Sequence, residues 1–127
     1  SPVRGIATSG WRGRSLSLGI ADAVTVLAGS AAIADAAATL IANDVNVDYP
    51  GILKRPASEV KDESDLGMLP VTVDVPPLPV DQISEALKRG AQTAGNFIRT
   101  GKIEAAYLSL QKQTLVVENN LKKESNE

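Results

Sequence analysis

The sequence predicts an α+β fold in which a mostly antiparallel sheet packs against two main helices. Three observations carry this. An apolar, β-branched run at Val24 to Ala28 leads directly into an alanine-rich stretch. Ile83, Leu87, Ala91, Ala94 and Ile98 recur at helical spacing. Two short strand-like segments near the end, Glu104 to Leu110 and Thr114 to Glu118, are separated by only three polar residues. A chain of 127 residues is long enough for one domain and too short for two.

Taken in order, Arg4 to Ser9 reads as an extended segment, and Gly10-Trp11-Arg12-Gly13-Arg14 has the composition of a turn. Ser15 to Ile20 alternates serine and leucine, the period-2 pattern of a half-buried strand. Val24 to Ala28 is the next and more central strand. Ser30 is placed to N-cap a helix running to about Asn43, its hydroxyl accepting an otherwise unpaired backbone N–H. Small alanine side chains let that helix approach a sheet closely. Asp44 to Leu69 has little periodicity and reads as a long surface connection, with one helical turn at Pro56 to Val60. Val71 to Val75 is a strand ended by Pro76-Pro77 and Pro79, which cannot donate to a ladder. Asp81 is the expected N-cap of an amphipathic helix that Gly101 stops. Residues 1–118 form the expected domain, and 119–127 read as a polar tail.

The composition excludes whole classes of chemistry. There is no cysteine and no histidine, which removes disulfides, thiolate metal sites, cysteine nucleophiles and Ser-His-Asp triads built from this chain. Any chemistry must use carboxylates, hydroxyls, amines and backbone groups. Thirteen basic against fifteen acidic residues and four aromatics do not describe a nucleic-acid binder. No stretch has the ~20 apolar residues of a membrane span, and no signal-peptide layout opens the chain, so the expected location is the cytoplasm. Ser1 stands where a methionine would begin a gene product, so an upstream piece, removed or held in another chain, is expected. Self-cleavage would leave Ser1 as an N-terminal nucleophile with its α-amine as base; ordinary proteolysis is the alternative.

Two motifs carry chemical potential. Ala7-Thr8-Ser9-Gly10 leaves a strand with two hydroxyls and a glycine, able to present O–H and N–H donors to a phosphate or to a flavin or nucleotide edge. Arg12 and Arg14 follow with forked cationic donors. The alternative is a solvated turn with surface arginines. In the alanine-rich helix, Asp35 and Thr39 are four residues apart and share a face, so their oxygens can converge on one hard cation such as magnesium. The alternative places Asp35 towards solvent and bonds the Thr39 hydroxyl back to the helix. Asp22, just before the central strand, is a third candidate as cation ligand or base, against a local capping role.

Gly5-Ile6-Ala7-Thr8-Ser9-Gly10, Gly19-Ile20-Ala21-Asp22-Ala23-Val24-Thr25-Val26, Ala34-Asp35-Ala36-Ala37-Ala38-Thr39 and the ending Ile103 to Gln111 together resemble the C-terminal half of the ApbE superfamily, the FAD:protein FMN transferases. They look closest to a branch that includes the C-terminal regions of 6-hydroxynicotinate reductases. The resemblance implies a T-fold-like half completed by an N-terminal half or second chain, with further copies of the chain as possible partners. It implies FAD or FMN at Ala7 to Gly10 with Arg12 and Arg14 beside it, and magnesium on Asp35 and Thr39. It also implies metal-assisted phosphoryl transfer. Transferases carry a histidine and an Asp-Pro ending where this chain has Ser17 to Ala23, with neither histidine nor proline. The expectation therefore moves from transfer to flavin or nucleotide binding, with no catalytic residue assigned and a noncatalytic ligand-binding or assembly domain as the alternative.

Overall fold

The computed structural model describes residues 2–13, 16–61 and 64–119. It contains β1 (Gly5–Ser9), β2 (Ala23–Ala28), α1 (Ala31–Asp44), β3 (Leu53–Pro56), α2 (Ala57–Val60), β4 (Pro70–Asp74), α3 (Val80–Arg99), β5 (Ile103–Leu110) and β6 (Gln113–Glu118). Four strands form one antiparallel sheet in the order β1-β2-β5-β6, and β3 pairs with β4 in a separate antiparallel ribbon. The fold is α+β. The expected mostly antiparallel sheet and two main helices are both present.

Both long helices cover one face of the sheet. α1 packs on β1 and β2, while α3 packs on β5 and β6. Register explains which residues they bury: Ala7, Val26, Ala106 and Val117 lie in one cross-strand row, and Ser9, Val24, Leu108 and Leu115 in another. Val24, Val26, Ala106 and Leu108 are fully buried in the main core with Ala34, Ala38 and Ile41 of α1 and with Ile83, Leu87 and Ala94 of α3. The two helices also touch each other. Gly90 permits this approach, because a Cβ there would stand 2.3 Å from Val45 Cγ2 and 2.9 Å from Leu108 Cδ2.

The caps follow local chemistry. Ser30 Oγ accepts from Ile33 N at 3.1 Å, as its position before α1 predicts. α3 starts two residues earlier than expected: Pro79 is its N-cap and Asp81 lies inside the first turn. Proline's fixed φ and missing N–H suit a helix start, so the helix begins before the acid that reads as its cap. Gly101, at φ +74°, ends α3 as expected.

Two further expectations are corrected. Leu16 to Ile20 form no strand. Serine, not leucine, points inward: Ser17 is buried, its Oγ accepts from Gly19 N at 3.1 Å, and Asn43 Oδ1 accepts from Leu18 N at 3.0 Å. The segment is stitched between the end of α1, where Ile20 N donates to Val45 O at 2.8 Å, and β4, where Thr72 N donates to Ser17 O at 2.9 Å. The long connection from Asp44 to Leu69 holds the strand β3 as well as the helical turn α2. Residues 120–127 of the expected tail, and Ser1, Arg14 and Ser15, lie outside the described residues.

Candidate functional site

β1 carries the first motif and α1 the second, and the strand packs directly on the helix. Strand alternation divides the two hydroxyls of the first motif. Ser9 is buried on the helix side, while Thr8 faces the opposite side and its Oγ1 lies 2.9 Å from Thr25 Oγ1 across the ladder. The half-buried Ala7 packs against the core, so the side chains of this motif do not converge.

After Ser9 the chain turns back on itself. Trp11 N donates to Ala21 O at 3.1 Å and Gly13 N to Gly10 O at 3.3 Å. Gly10 must be glycine for this, since a Cβ would stand 2.3 Å from Asp22 O. The turn delivers Arg12 to Asp22: Arg12 Nε donates to Asp22 Oδ1 at 3.1 Å, and the guanidinium sits 5.1 Å from the centre of the Trp11 ring. The Arg12 side chain is 67% exposed, so its terminal nitrogens remain open to solvent or ligand. Arg14 lies outside the described residues.

Asp22 also joins a second element. Its Oδ2 accepts from Gln111 N at 2.8 Å at the β5-β6 turn. Gln111 then clamps the proline segment before α3, donating from Nε2 to Pro76 O at 2.7 Å and accepting at Oε1 from Leu78 N at 2.8 Å. Both carboxylate oxygens of Asp22 are engaged by protein donors from distant segments, so it acts as a bridge between the β1 exit and the β5-β6 turn and not as a local cap.

On α1, Asp35 is exposed and Thr39 half-buried. The Thr39 hydroxyl donates to Asp35 O at 3.0 Å, the back-bond of a mid-helix threonine. That bond uses the hydroxyl hydrogen and leaves its lone pairs. Among the described residues no group of three or more acids, histidines or cysteines could enclose a metal. Asp35 and Thr39 therefore offer two protein oxygens from one helix turn.

A cluster that sequence reading missed lies beyond α1. Asn46, Asp48, Tyr49, Ile52, Lys54 and Arg89 line a cleft of about 360 Å³. Burial lowers the Lys54 ammonium below its ordinary 10.5, and Asp48 opposes that shift. The basic residues come from β3 and α3, so no local motif announces them.

A family model described as AbpE bacteria matches residues 1–118. The chain belongs to this AbpE family. The match spans every strand and helix of the AbpE chain, including both motifs and the Gln111 turn. No curated protein and no solved structure matches it. No helix among its described residues is long and apolar enough to cross a membrane.

Proposed function

We propose that this AbpE chain is the C-terminal half of an ApbE-like domain and binds a flavin or nucleotide where β1 exits, with magnesium on α1. The carrying observation is Arg12 held by Asp22 beside Gly10. A guanidinium fixed through Nε keeps its fork for a phosphate, and glycine lets the backbone approach closely. FAD or FMN is the proposed ligand, with an N-terminal half or second chain completing the site.

The residues on α1 suit magnesium in one respect. An exposed carboxylate and a hydroxyl lone pair one turn apart give two protein ligands, and magnesium ordinarily keeps several waters. A bound ion there would supply charge neutralisation for a phosphate group. Arg12 would orient the phosphate from the loop, Gly10 would admit it, and Asp22 would hold Arg12 in place. Flavin chemistry or membership of a flavin-dependent reductase follows from this reading; no residue is assigned as catalytic.

A noncatalytic ligand-binding or assembly domain is the second reading. The absence of histidine and the Thr39 hydroxyl bonded within its own helix favour it. Thermal unfolding with FAD or FMN plus magnesium separates the two, because a ligand bound only by the folded state raises the melting temperature. Flavin binding predicts a rise that shrinks in Asp35→Ala and Arg12→Ala. An unchanged melting temperature in every case would sustain the assembly reading.

A further inference from the structure

β6 is an end strand of the sheet, and among the described residues no strand pairs with its outer side. Its register with β5 fixes which backbone groups face outwards. Leu110 and Gln113 close the hairpin, and Asn119 N donates to Glu104 O at 3.2 Å, so the odd-numbered residues of β6 bond inwards. The N–H and C=O groups of Thr114, Val116 and Glu118 therefore point away from β5. Edge strands are ordinarily blunted by a proline, a bulge or a charge in mid-strand. β6 has none of these: Gln113 to Val117 are uncharged, no proline interrupts them, and the pairing with β5 runs without a bulge. Its apolar side chains are exposed on both faces, Leu115 on the helix side and Val116, 48% exposed, on the open side. Beside the edge, Ser84, Leu87 and Lys88 of α3 and Gln113 to Leu115 line a groove of about 430 Å³.

We propose that β6 pairs antiparallel with β6 of a second copy of this chain, across a twofold axis between the two Val116 residues. In that register Val116 exchanges both backbone bonds with its counterpart, and Thr114 does so with Glu118 of the second copy. On the helix side Leu115 meets Val117 of the second copy, so apolar residue faces apolar residue at the groove beside Leu87. Charge selects the antiparallel sense. It brings Glu118, at the end of one strand, to the Lys88 and Lys112 end of the other, whereas parallel pairing would set Glu118 beside Glu118. The twofold also closes the assembly, because each copy meets the other through the same surface. Pairing β6 with the opposite edge strand, β1, of a further copy would leave edges free and extend without closing. The surface shares no residue with the proposed flavin site, so the two readings stand or fall separately.

The test is amide hydrogen exchange on the whole chain, with the mass in solution measured by analytical ultracentrifugation. A dimer is expected, in which the amides of Thr114, Val116 and Glu118 exchange roughly tenfold or more slowly than in a monomeric variant. Val116→Pro removes an outward donor and leaves the bonds to β5 intact, so it should stay folded and become monomeric. Val116→Lys sets like charges opposite each other and should also dissociate the dimer. A native chain that is monomeric at every concentration, a dimer with those three amides unprotected, or an assembly larger than a dimer would each overturn the proposal. So would equal protection in the native dimer and in monomeric Val116→Lys, which would place another part of the same chain on the edge. If Val116→Pro does not fold, Val116→Lys and the exchange pattern of the unmodified chain still decide it.

Discussion

Asp22 divides its carboxylate between two distant segments, Oδ1 accepting from Arg12 Nε at 3.1 Å and Oδ2 from Gln111 N at 2.8 Å. It thereby ties the β1 exit to the β5-β6 turn. Asp22→Asn replaces one acceptor by a donor, which must then face Arg12 or the Gln111 N–H. The expected loss is about 1–3 kcal/mol of stability, the cost of breaking such a bond and stranding its partner. Urea unfolding measures it; an unchanged midpoint would show that neither contact contributes.

The same turn predicts an ordering of two adjacent substitutions. Gln111 and Lys112 have φ of 45° and 73°, the two positive values of a type I′ hairpin turn. Lys112→Gly relieves left-handed strain and should stabilise by roughly 1 kcal/mol. Gln111→Gly gains the same relief but loses the bonds to Pro76 and Leu78, so it should be less stable than Lys112→Gly. Thermal melts of the two variants side by side test the ordering.

Two glycines of α3 separate packing from helix propensity. Gly90→Ala drives a Cβ into Val45 and Leu108, with an expected cost of about 1–3 kcal/mol from overpacking. At Gly95 the nearest atom to an added Cβ is the far end of Arg99, 3.4 Å away. Gly95→Ala should therefore stabilise by up to about 1 kcal/mol, as alanine does for glycine in a helix interior. Denaturant midpoints of both variants should move in opposite directions.

Lys54 predicts a pH dependence of known sign. Its folded-state pKa lies below the ordinary 10.5, so between those two values the unfolded chain binds more protons. Stability contributed by this group therefore rises as pH climbs through that window. The stability of the native chain relative to Lys54→Met should increase towards alkaline pH, measured by urea unfolding at a series of pH values. A difference that stays flat or falls would contradict the burial of the ammonium.

The elements that follow a local rule were legible in the sequence. Ser30 declares α1, the 3.6-residue spacing declares α3, and β-branched runs declare β2 and β4. The failures have non-local causes. Ser15 to Ile20 alternates like a strand, yet Ser17, Leu18 and Gly19 are held by isolated bonds from the Asn43 side chain and from Thr72 of β4 instead of by a continuous ladder. β3 is short and polar and exists because β4 pairs with it. Thr8, Ser9, Asp35 and Thr39 were conspicuous as motifs, but the sequence did not show which of Thr8 and Ser9 the helix covers. Asn46, Lys54 and Arg89 carry no local signature, since packing alone brings their elements together.

A fluorescence titration of FMN with the chain, with and without magnesium, tests flavin binding at the β1 exit most directly. Saturable quenching is expected for the native chain, with affinity weakened roughly tenfold or more in Arg12→Ala and reduced by removal of magnesium. Absence of saturable quenching, or identical curves for the native chain and Arg12→Ala, would contradict it.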